Sequence, residues 1–291
     1  MNTAAVTGSR SMLGRSLCAL LKERGVDVIE VGRHEGAEIR LDLSDSFTAT
    51  QVTGADALFH CAASMEADTP EGVRKNQALN ASGSLAVVEL AEALGSLVLV
   101  NAGTLSSNSE FDPRGRNSYG LTKAHGEDLM SWHLSRSGGR FCSLRFPQLS
   151  DTQGDCIRHQ PWYGRAIAYA AAGADVNLPA SEGPRSFLHV DDAARLMIGV
   201  AKDGEVEGIL NAVHPELVTV EELFQITYGV FDQGGEIHIA PEKPPFRKVN
   251  YPNTQSAFAR LEWDAQISLE EGARRIREAG TASAFGALDV T

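Results

Sequence analysis

The chain is short of several things, and each shortage excludes a class of function. Its four cysteines, Cys18, Cys61, Cys142 and Cys156, form no C-x-x-C pair, which removes the common zinc and dithiol motifs, so no metal site is expected. Cys18, Cys61 and Cys142 lie in apolar helix or strand contexts, where buried free thiols are the ordinary outcome. Positive charge is also scarce, with 26 Lys and Arg against 38 Asp and Glu and a formal net charge of −12. So acidic a chain matches a nucleic-acid backbone poorly; a few placed arginines can still bind a pyrophosphate. No apolar run approaches the roughly 18 residues of a membrane span. The first residues run straight into a strand, so no signal peptide is expected. Repeats and low-complexity linkers are absent. These features predict a cytoplasmic protein without nucleic-acid or membrane partners. Its 291 residues, 43% hydrophobic and 22% charged, suffice for one large domain or two smaller ones.

What is present begins at the N-terminus. Ala4-Ala5-Val6 is a short apolar run, followed by Thr7-Gly8-Ser9-Arg10-Ser11-Met12-Leu13-Gly14. Leu13, Leu17, Leu20 and Leu21 then recur at helical spacing. The pattern reads as strand, tight turn and helix, with backbone N–H groups and a helix N-terminus free to face a pyrophosphate. Gly8 permits the sharp turn and Gly14 close helix-to-sheet packing; an ordinary βα turn would look similar. A second strand, Val26-Asp27-Val28-Ile29-Glu30-Val31, ends at Gly32-Arg33. Apolar runs and helical stretches alternate through Val100 and again near Phe141 to Phe146, which predicts a parallel sheet flanked by helices. Loops are expected at Ser106 to Asn117, Ser150 to Pro161, Ala180 to Ser186, and Asp232 to Pro252.

In Asn117-Ser118-Tyr119-Gly120-Leu121-Thr122-Lys123, a tyrosine precedes a lysine by four residues. On a helix the two share a face. A free phenol has a pKa of about 10, and a nearby ammonium ion favours the phenolate. The pair can serve as a proton donor or acceptor beside a redox centre. Alone, such a spacing is commonly a solvated helix face.

With the glycine turn, this segment resembles the short-chain dehydrogenase/reductase superfamily in its extended, sugar-nucleotide-modifying branch (the NAD-dependent epimerase/dehydratase family), over nearly the whole chain. The usual G-x-x-G-x-x-G appears as Gly8, Ser11 and Gly14. Further landmarks follow in order: Leu41-Asp42-Leu43; Leu58-Phe59-His60-Cys61-Ala62-Ala63; Asn80 with Gly83; Leu144-Arg145-Phe146-Pro147-Gln148; Arg185-Ser186-Phe187-Leu188-His189-Val190-Asp191-Asp192; then Leu261-Glu262-Trp263 and Ser268-Leu269-Glu270-Glu271-Gly272. The resemblance implies an α/β fold, a Rossmann-type doubly wound parallel sheet with a smaller, discontinuous C-terminal substrate domain. The dinucleotide domain would comprise 1–149 plus about 185–211, and the substrate domain about 150–184 plus 212–291.

The same resemblance implies site residues. Gly8, Ser9, Arg10, Ser11, Met12, Leu13 and Gly14 would line the cofactor, with Arg33, Asp42 and Leu43 near its adenosine half. Cys61, Ala62, Ala63, Asn80, Phe146, Tyr119 and Lys123 would line the rest. NAD-preferring members place an acid at the end of the second strand; here Gly32 and Arg33 stand there. Guanidinium groups at Arg10 and Arg33 suit a 2′-phosphate, so NADP(H) is favoured over NAD(H), with Glu30 the acid that could oppose this. The third catalytic group, usually Ser or Thr, falls by counting on Gly103. The turn Asn101-Ala102-Gly103-Thr104 resembles that of nucleotide-linked deoxysugar reductases and points to Thr104, with Ser106 in reserve. Leu105-Ser106 lacks the Asp-Glu of dehydratases.

Gln148, His159, Trp162 and Arg185 are the expected substrate contacts, Arg185 for a pyrophosphate. Pro161 equally suits the first turn of a structural helix. His189 reads as a core histidine, and Asp191 and Asp192 as helix caps. The implied activity is NADPH-dependent reduction of a keto group, on a nucleotide-activated deoxysugar. Tyr119 would donate the proton, Lys123 lower its pKa and hold the nicotinamide ribose, and Thr104 polarise the carbonyl. A sugar-nucleotide 4-epimerase, a ketoreductase of a polyketide-like metabolite and a non-catalytic NADP-binding scaffold or sensor are the alternatives. Family analogy also implies a homodimer built on the Asn80 and Tyr119 helices.

Overall fold

The computed structural model describes residues 1–45, 54–181 and 183–288. In chain order, β1 (Thr3–Thr7) leads to α1 (Met12–Glu23), β2 (Asp27–Gly32), β3 (Ile39–Arg40) and β4 (Ala57–His60). Next come α2 (Pro70–Asn76), a π-helical turn (Gln77–Ser82), α3 (Ser84–Ala93), β5 (Val98–Thr104), a 3-10 turn (Leu105–Ser107), α4 (Ser118–Ser137) and β6 (Arg140–Phe146). The remainder holds β7 (Gln148–Ser150), α5 (Pro161–Ala172), β8 (Val176–Leu178), β9 (Arg185–His189), α6 (Val190–Asp203), β10 (Gly208–Asn211) and β11 (Leu217–Val218). It ends with α7 (Val220–Phe231), β12 (Ile237–Ile239), α8 (Ala257–Arg260) and α9 (Leu269–Ala279).

The chain divides into two compact units. The first comprises 1–146, 193–212 and 251–263, and the second 147–192, 213–250 and 264–291. In the first unit, seven strands run in the order β10-β6-β5-β4-β1-β2-β3, and every pairing is parallel. The order reverses beside β1, which is the switch point of a Rossmann-type doubly wound sheet. Buried on both faces, its central strands are apolar without alternation: Ala57, Leu58 and Phe59 of β4 are each at most 2% exposed. Val87 and Leu90 of α3, with Met130 and Leu134 of α4, pack on Leu58 and Leu99 in one core. Arg140, at the start of β6, donates to the carbonyls of Val200, Ala201 and Val206 at 3.0, 3.1 and 2.6 Å. That ties the end of α6 to the sheet.

The second unit holds a three-stranded sheet, β11-β9-β7, and a two-stranded one, β12-β8. Tyr163 of α5 is 1% exposed, with Phe187 and Phe285 at ring-centroid distances of 5.7 and 6.1 Å. Thr219 and Glu222 form a reciprocal capping box at the start of α7.

The division differs from the sequence expectation at two places. β9 pairs with β7 and β11 and not with the large sheet, so 185–192 belongs to the second unit. Residues 251–263 return to the first, because Asn211 bonds the carbonyls of Gln255 and Thr254 and Ser256 bridges to the strand edge. Asp192 also departs from a simple cap. It is fully buried and its Oδ2 accepts the N–H groups of Gln266 and Ile267 at 2.9 and 2.8 Å. Among the described residues no helix is long and apolar enough to cross a membrane.

Asp192→Ala would leave those two donors without their acceptor. The expected loss is about 3 kcal/mol, read as a fall in the urea midpoint, with Asp192→Asn losing less because one amide oxygen remains.

Candidate active site

The glycine turn is shaped by close approach. Gly8 has φ 68°, and a side-chain carbon there would lie 2.7–2.9 Å from the backbone of Cys61 and Ala62. At Gly14 such a carbon would lie 2.1 Å from the Gly8 carbonyl oxygen. Ser11 stands where the family has a middle glycine, and its hydroxyl accepts the Gly14 N–H at 3.0 Å as N-cap of α1. The turn therefore keeps the open, N–H-rich start of α1 that a pyrophosphate needs. Ser9, Leu13 and Gly14 are buried, Met12 is half-buried and Arg10 is exposed.

At the end of β2, Gly32 offers no acid. A side chain there would meet the His34 ring at 2.9 Å. Arg10 lies over this loop, its Nη2 3.5 Å from the Glu35 carbonyl oxygen. Arg33 is 3.8 Å from Asp42, an exposed and weak pair. Asp42 itself accepts Ser44 N–H and Oγ–H at 3.0 and 2.8 Å. Those bonds, more than Arg33, hold its carboxyl below the usual range. Glu30 is held by Lys22 at 2.9 Å. The Leu43 carbonyl rests against Gly83, where a side-chain carbon would come within 2.6 Å.

Two asparagines fasten the segment after β4 to α4. Asn80, in the π-helical turn, accepts the Ser64 N–H and donates to the Ser64 carbonyl, both at 2.7 Å, and reaches Thr122 Oγ1 at 3.2 Å. Asn76 does the same one turn earlier, with Glu66 N and O at 3.0 and 3.1 Å and Ser118 Oγ at 2.9 Å. π-Helical turns often mark functional sites, and here the turn directs Asn80 between two chain segments. Cys61 and Ala62 are half-buried, Ala63 is exposed and Phe146 is buried at the end of β6.

Asn117 caps α4 by accepting the Gly120 N–H at 2.8 Å, which places Tyr119 and Lys123 in its first turns. A side-chain carbon at Gly120 would lie 2.1 Å from the Ser106 carbonyl oxygen. The Thr104 turn and the Tyr119 turn are therefore in contact. Thr104 Oγ1 accepts the Ser106 N–H at 3.3 Å, and its own proton can point to an acceptor. Lys123 is 4% exposed and His60 3%; His60 Nδ1 is 2.6 Å from Thr7 Oγ1.

The electrostatics depart from expectation at one point. Lys123 was expected to lower the Tyr119 pKa. Instead burial first, and the Glu127 carboxylate second, push Tyr119 up to about 12. Burial also lowers Lys123, opposed by Glu127 and Cys61. Burial, then Lys123, pushes His60 down to about 3, so it is neutral.

In the second unit, Gln148 Nε2 donates to Gln160 Oε1 at 2.8 Å, and His159 is exposed. Arg185 donates to the carbonyls of Arg247 and Pro184. Trp162 meets Phe246 edge to face at 4.5 Å, and Arg165 covers its ring at 4.6 Å. One face of the Trp162 ring is thus taken by a guanidinium. Phe246 and Arg247, in the proline-rich loop, and Arg165 of α5 join this cluster through contacts that local sequence does not reveal. Glu127 repeats, four residues beyond Lys123, the spacing of Tyr119 and Lys123, which places it on the same helix face.

Gly8→Ala forces both a left-handed backbone and a contact with Ala62. Nicotinamide-dinucleotide affinity is expected to fall at least tenfold, measured by fluorescence titration, while Ser11→Gly changes it little.

The comparisons with known proteins agree with this geometry. The model of the NAD dependent epimerase/dehydratase family matches residues 4–212. A dTDP-4-dehydro-6-deoxy-D-allose reductase of Streptomyces bikiniensis is 23% identical, covering 94% of this chain and 96% of its own. The UDP-N-acetylglucosamine 4-epimerase structure from Bacillus cereus superposes with TM-score 0.78 at 19% identity, over 96% of both chains. RMD from Pseudomonas aeruginosa, solved with NADPH, gives TM-score 0.76 at 17% identity, over 97% of this chain and 99% of its own. With the glycine turn, the parallel sheet and the Tyr119–Lys123 helix in place, the chain belongs to the NAD-dependent epimerase/dehydratase family, the extended branch of the short-chain dehydrogenases/reductases.

Proposed function

We propose that the protein is an NADPH-dependent ketoreductase acting on the keto group of a nucleotide-activated deoxysugar. The observation that carries the reading is the contact of the Thr104 turn with the first turn of α4, which bears Tyr119 and Lys123. The reductase name of the relative at 23% identity supports the substrate class. The NADPH bound by one structural neighbour supports a phosphorylated cofactor, as do Gly32, Arg33 and Arg10 around the end of β2.

Bound NADPH supplies a hydride to the carbonyl carbon. Thr104 donates a hydrogen bond to the carbonyl oxygen and stabilises the charge that grows there. Tyr119 donates the proton that completes the alcohol; its raised pKa keeps it protonated at neutral pH, as a donor must be. Lys123 holds the nicotinamide ribose. Gly8, Ser9, Ser11, Met12, Leu13 and Gly14 hold the pyrophosphate, and Asp42 and Leu43 the adenosine side. Cys61, Ala62, Ala63, Asn80 and Phe146 line the nicotinamide side. On the substrate, Arg185 receives the diphosphate, while Gln148, His159 and Trp162 contact the sugar or base. A homodimer through α3 and α4 suits the exposed Leu85, Leu121 and Trp132, at 44, 38 and 59%.

The direct test is loss of NADPH absorbance on adding a dTDP-4-keto-6-deoxy sugar to purified protein. Turnover with that compound, and Tyr119→Phe slowing it by about 10²-fold or more with NADPH affinity retained, is the expected result. An enzyme that instead copurifies with NAD and interconverts sugar epimers without net consumption is an epimerase. Near-normal turnover in Tyr119→Phe would reject the assigned donor.

Arg33→Ala is expected to weaken NADPH by about 1.5–3 kcal/mol while NADH affinity is almost unchanged. Equal losses for the two, in a binding titration, would reject the 2′-phosphate assignment.

A further inference from the structure

The polar cluster beneath the Tyr119 turn has no part in the steps above. Glu127 lies one helical turn past Lys123 and two past Tyr119 on α4, so all three share a face. Its side chain has 0% exposure. A carboxylate so placed must be paired and hydrogen-bonded. Arg145 Nη2 and Nε reach its Oε2 at 2.6 and 3.1 Å, and Ser143 donates to its Oε1 at 2.7 Å. Asn101 donates in turn to Ser143 at 2.9 Å. The helix, β5 and β6 thus converge on one carboxylate.

Gly103 stands opposite. A side-chain carbon there would lie 2.5 Å from Ser143 Oγ and 2.6 Å from Glu127 Oε1. Position 103 is where counting from the strand puts the family's hydroxyl. In this chain Ser143 and Glu127 occupy that space, and the next hydroxyl along the chain stands one residue later, at Thr104.

We propose that Glu127, held by Arg145 and Ser143 in the volume of the missing 103 side chain, is a positioning residue for the reduction. It fixes the turn that presents Thr104 and sets the Glu127–Arg145 pair behind Lys123 and Tyr119. This rests on the roles given to those two residues above. The groups facing Lys123 are Glu127 from its own helix and His60 and Cys61 from the end of β4. His60 is neutral and burial pushes the Cys61 thiol up. Glu127, paired with Arg145, is therefore the neighbour whose charge acts on both Lys123 and Tyr119.

The signs of the two removals are opposite. Glu127→Gln takes away a charge that raises both Lys123 and Tyr119 and leaves Arg145 unbalanced, so both groups lose their protons at lower pH. Arg145→Gln leaves the carboxylate unbalanced, and both keep their protons to higher pH. The experiment follows NADPH affinity by fluorescence from neutral to alkaline pH, with the kcat profile for the keto-sugar in parallel. Thermal melts check that each variant is folded. The alkaline limb of NADPH binding is expected to move acidward by about 1 pH unit or more in Glu127→Gln and alkaline by a similar amount in Arg145→Gln. Glu127→Asp should restore the original limb. A merely structural pair would weaken both variants with the limb unmoved, or moved in the same direction, and either result overturns the proposal. Should Glu127→Gln not fold, Arg145→Gln against Glu127→Asp decides: limbs that coincide overturn it. Opposite shifts in NADPH binding without turnover of any keto-sugar nucleotide would leave this inference standing and sink the substrate assignment alone.

Discussion

A charge with no access to water must be matched, and the match dictates geometry. Glu127 is such a charge; its partners Ser143 and Arg145 sit on β6, and Asn101 of β5 bonds Ser143 in turn. Satisfying it leaves α4 little freedom to slide or rotate on the sheet. The register that results sets the first turn of α4 at Gly120 against Ser106, just past the end of β5. A hydrophobic contact of the same area would tolerate small shifts, because it has no direction. The buried ion pair does not, and losing one partner of such a pair typically costs about 3–5 kcal/mol.

A second set of polar bonds works at the other end of the same helix. Asn76 and Asn80 each bind one backbone segment through both amide atoms and one hydroxyl of α4. The two sets of bonds hold the helix at its start and its middle. The loop carrying Cys61, Ala62 and Ala63 is thereby held to the helix that carries Tyr119 and Lys123, so the two keep a fixed spacing. Preorganisation of this kind lowers the cost of aligning donors with a developing charge.

Much of this was legible in the sequence, where a local rule speaks for itself. Gly8 and Gly14 announce a close turn, Tyr119 and Lys123 share a face through helical spacing, and Gly32-Arg33 shows the missing acid. Those signals lie within a few residues of each other. What escaped involves partners distant along the chain. Asp192 read as a cap because its partners, Gln266 and Ile267, lie more than seventy residues away. The partner of Glu127 is hidden for the same reason: its spacing from Lys123 shows a shared helix face, and nothing near it in sequence shows that it is buried against Arg145. The boundary of the second unit was misplaced at 185–192 for a like reason: an apolar strand does not say which sheet it joins. The pKa of Tyr119 was misjudged because proximity to Lys123 could be counted, whereas desolvation depends on the finished packing.

Ser11 carries a last consequence. A glycine in the middle of the turn would sample many backbone shapes in the unfolded chain and in any loosened form of the loop. Serine samples fewer, and its hydroxyl is already spent on the Gly14 N–H. Substituting glycine by a residue with a side chain at a compatible site narrows the unfolded ensemble, worth about 0.4–1 kcal/mol. The serine therefore narrows the range of shapes open to the turn before folding, and the chain gives up less entropy in closing it.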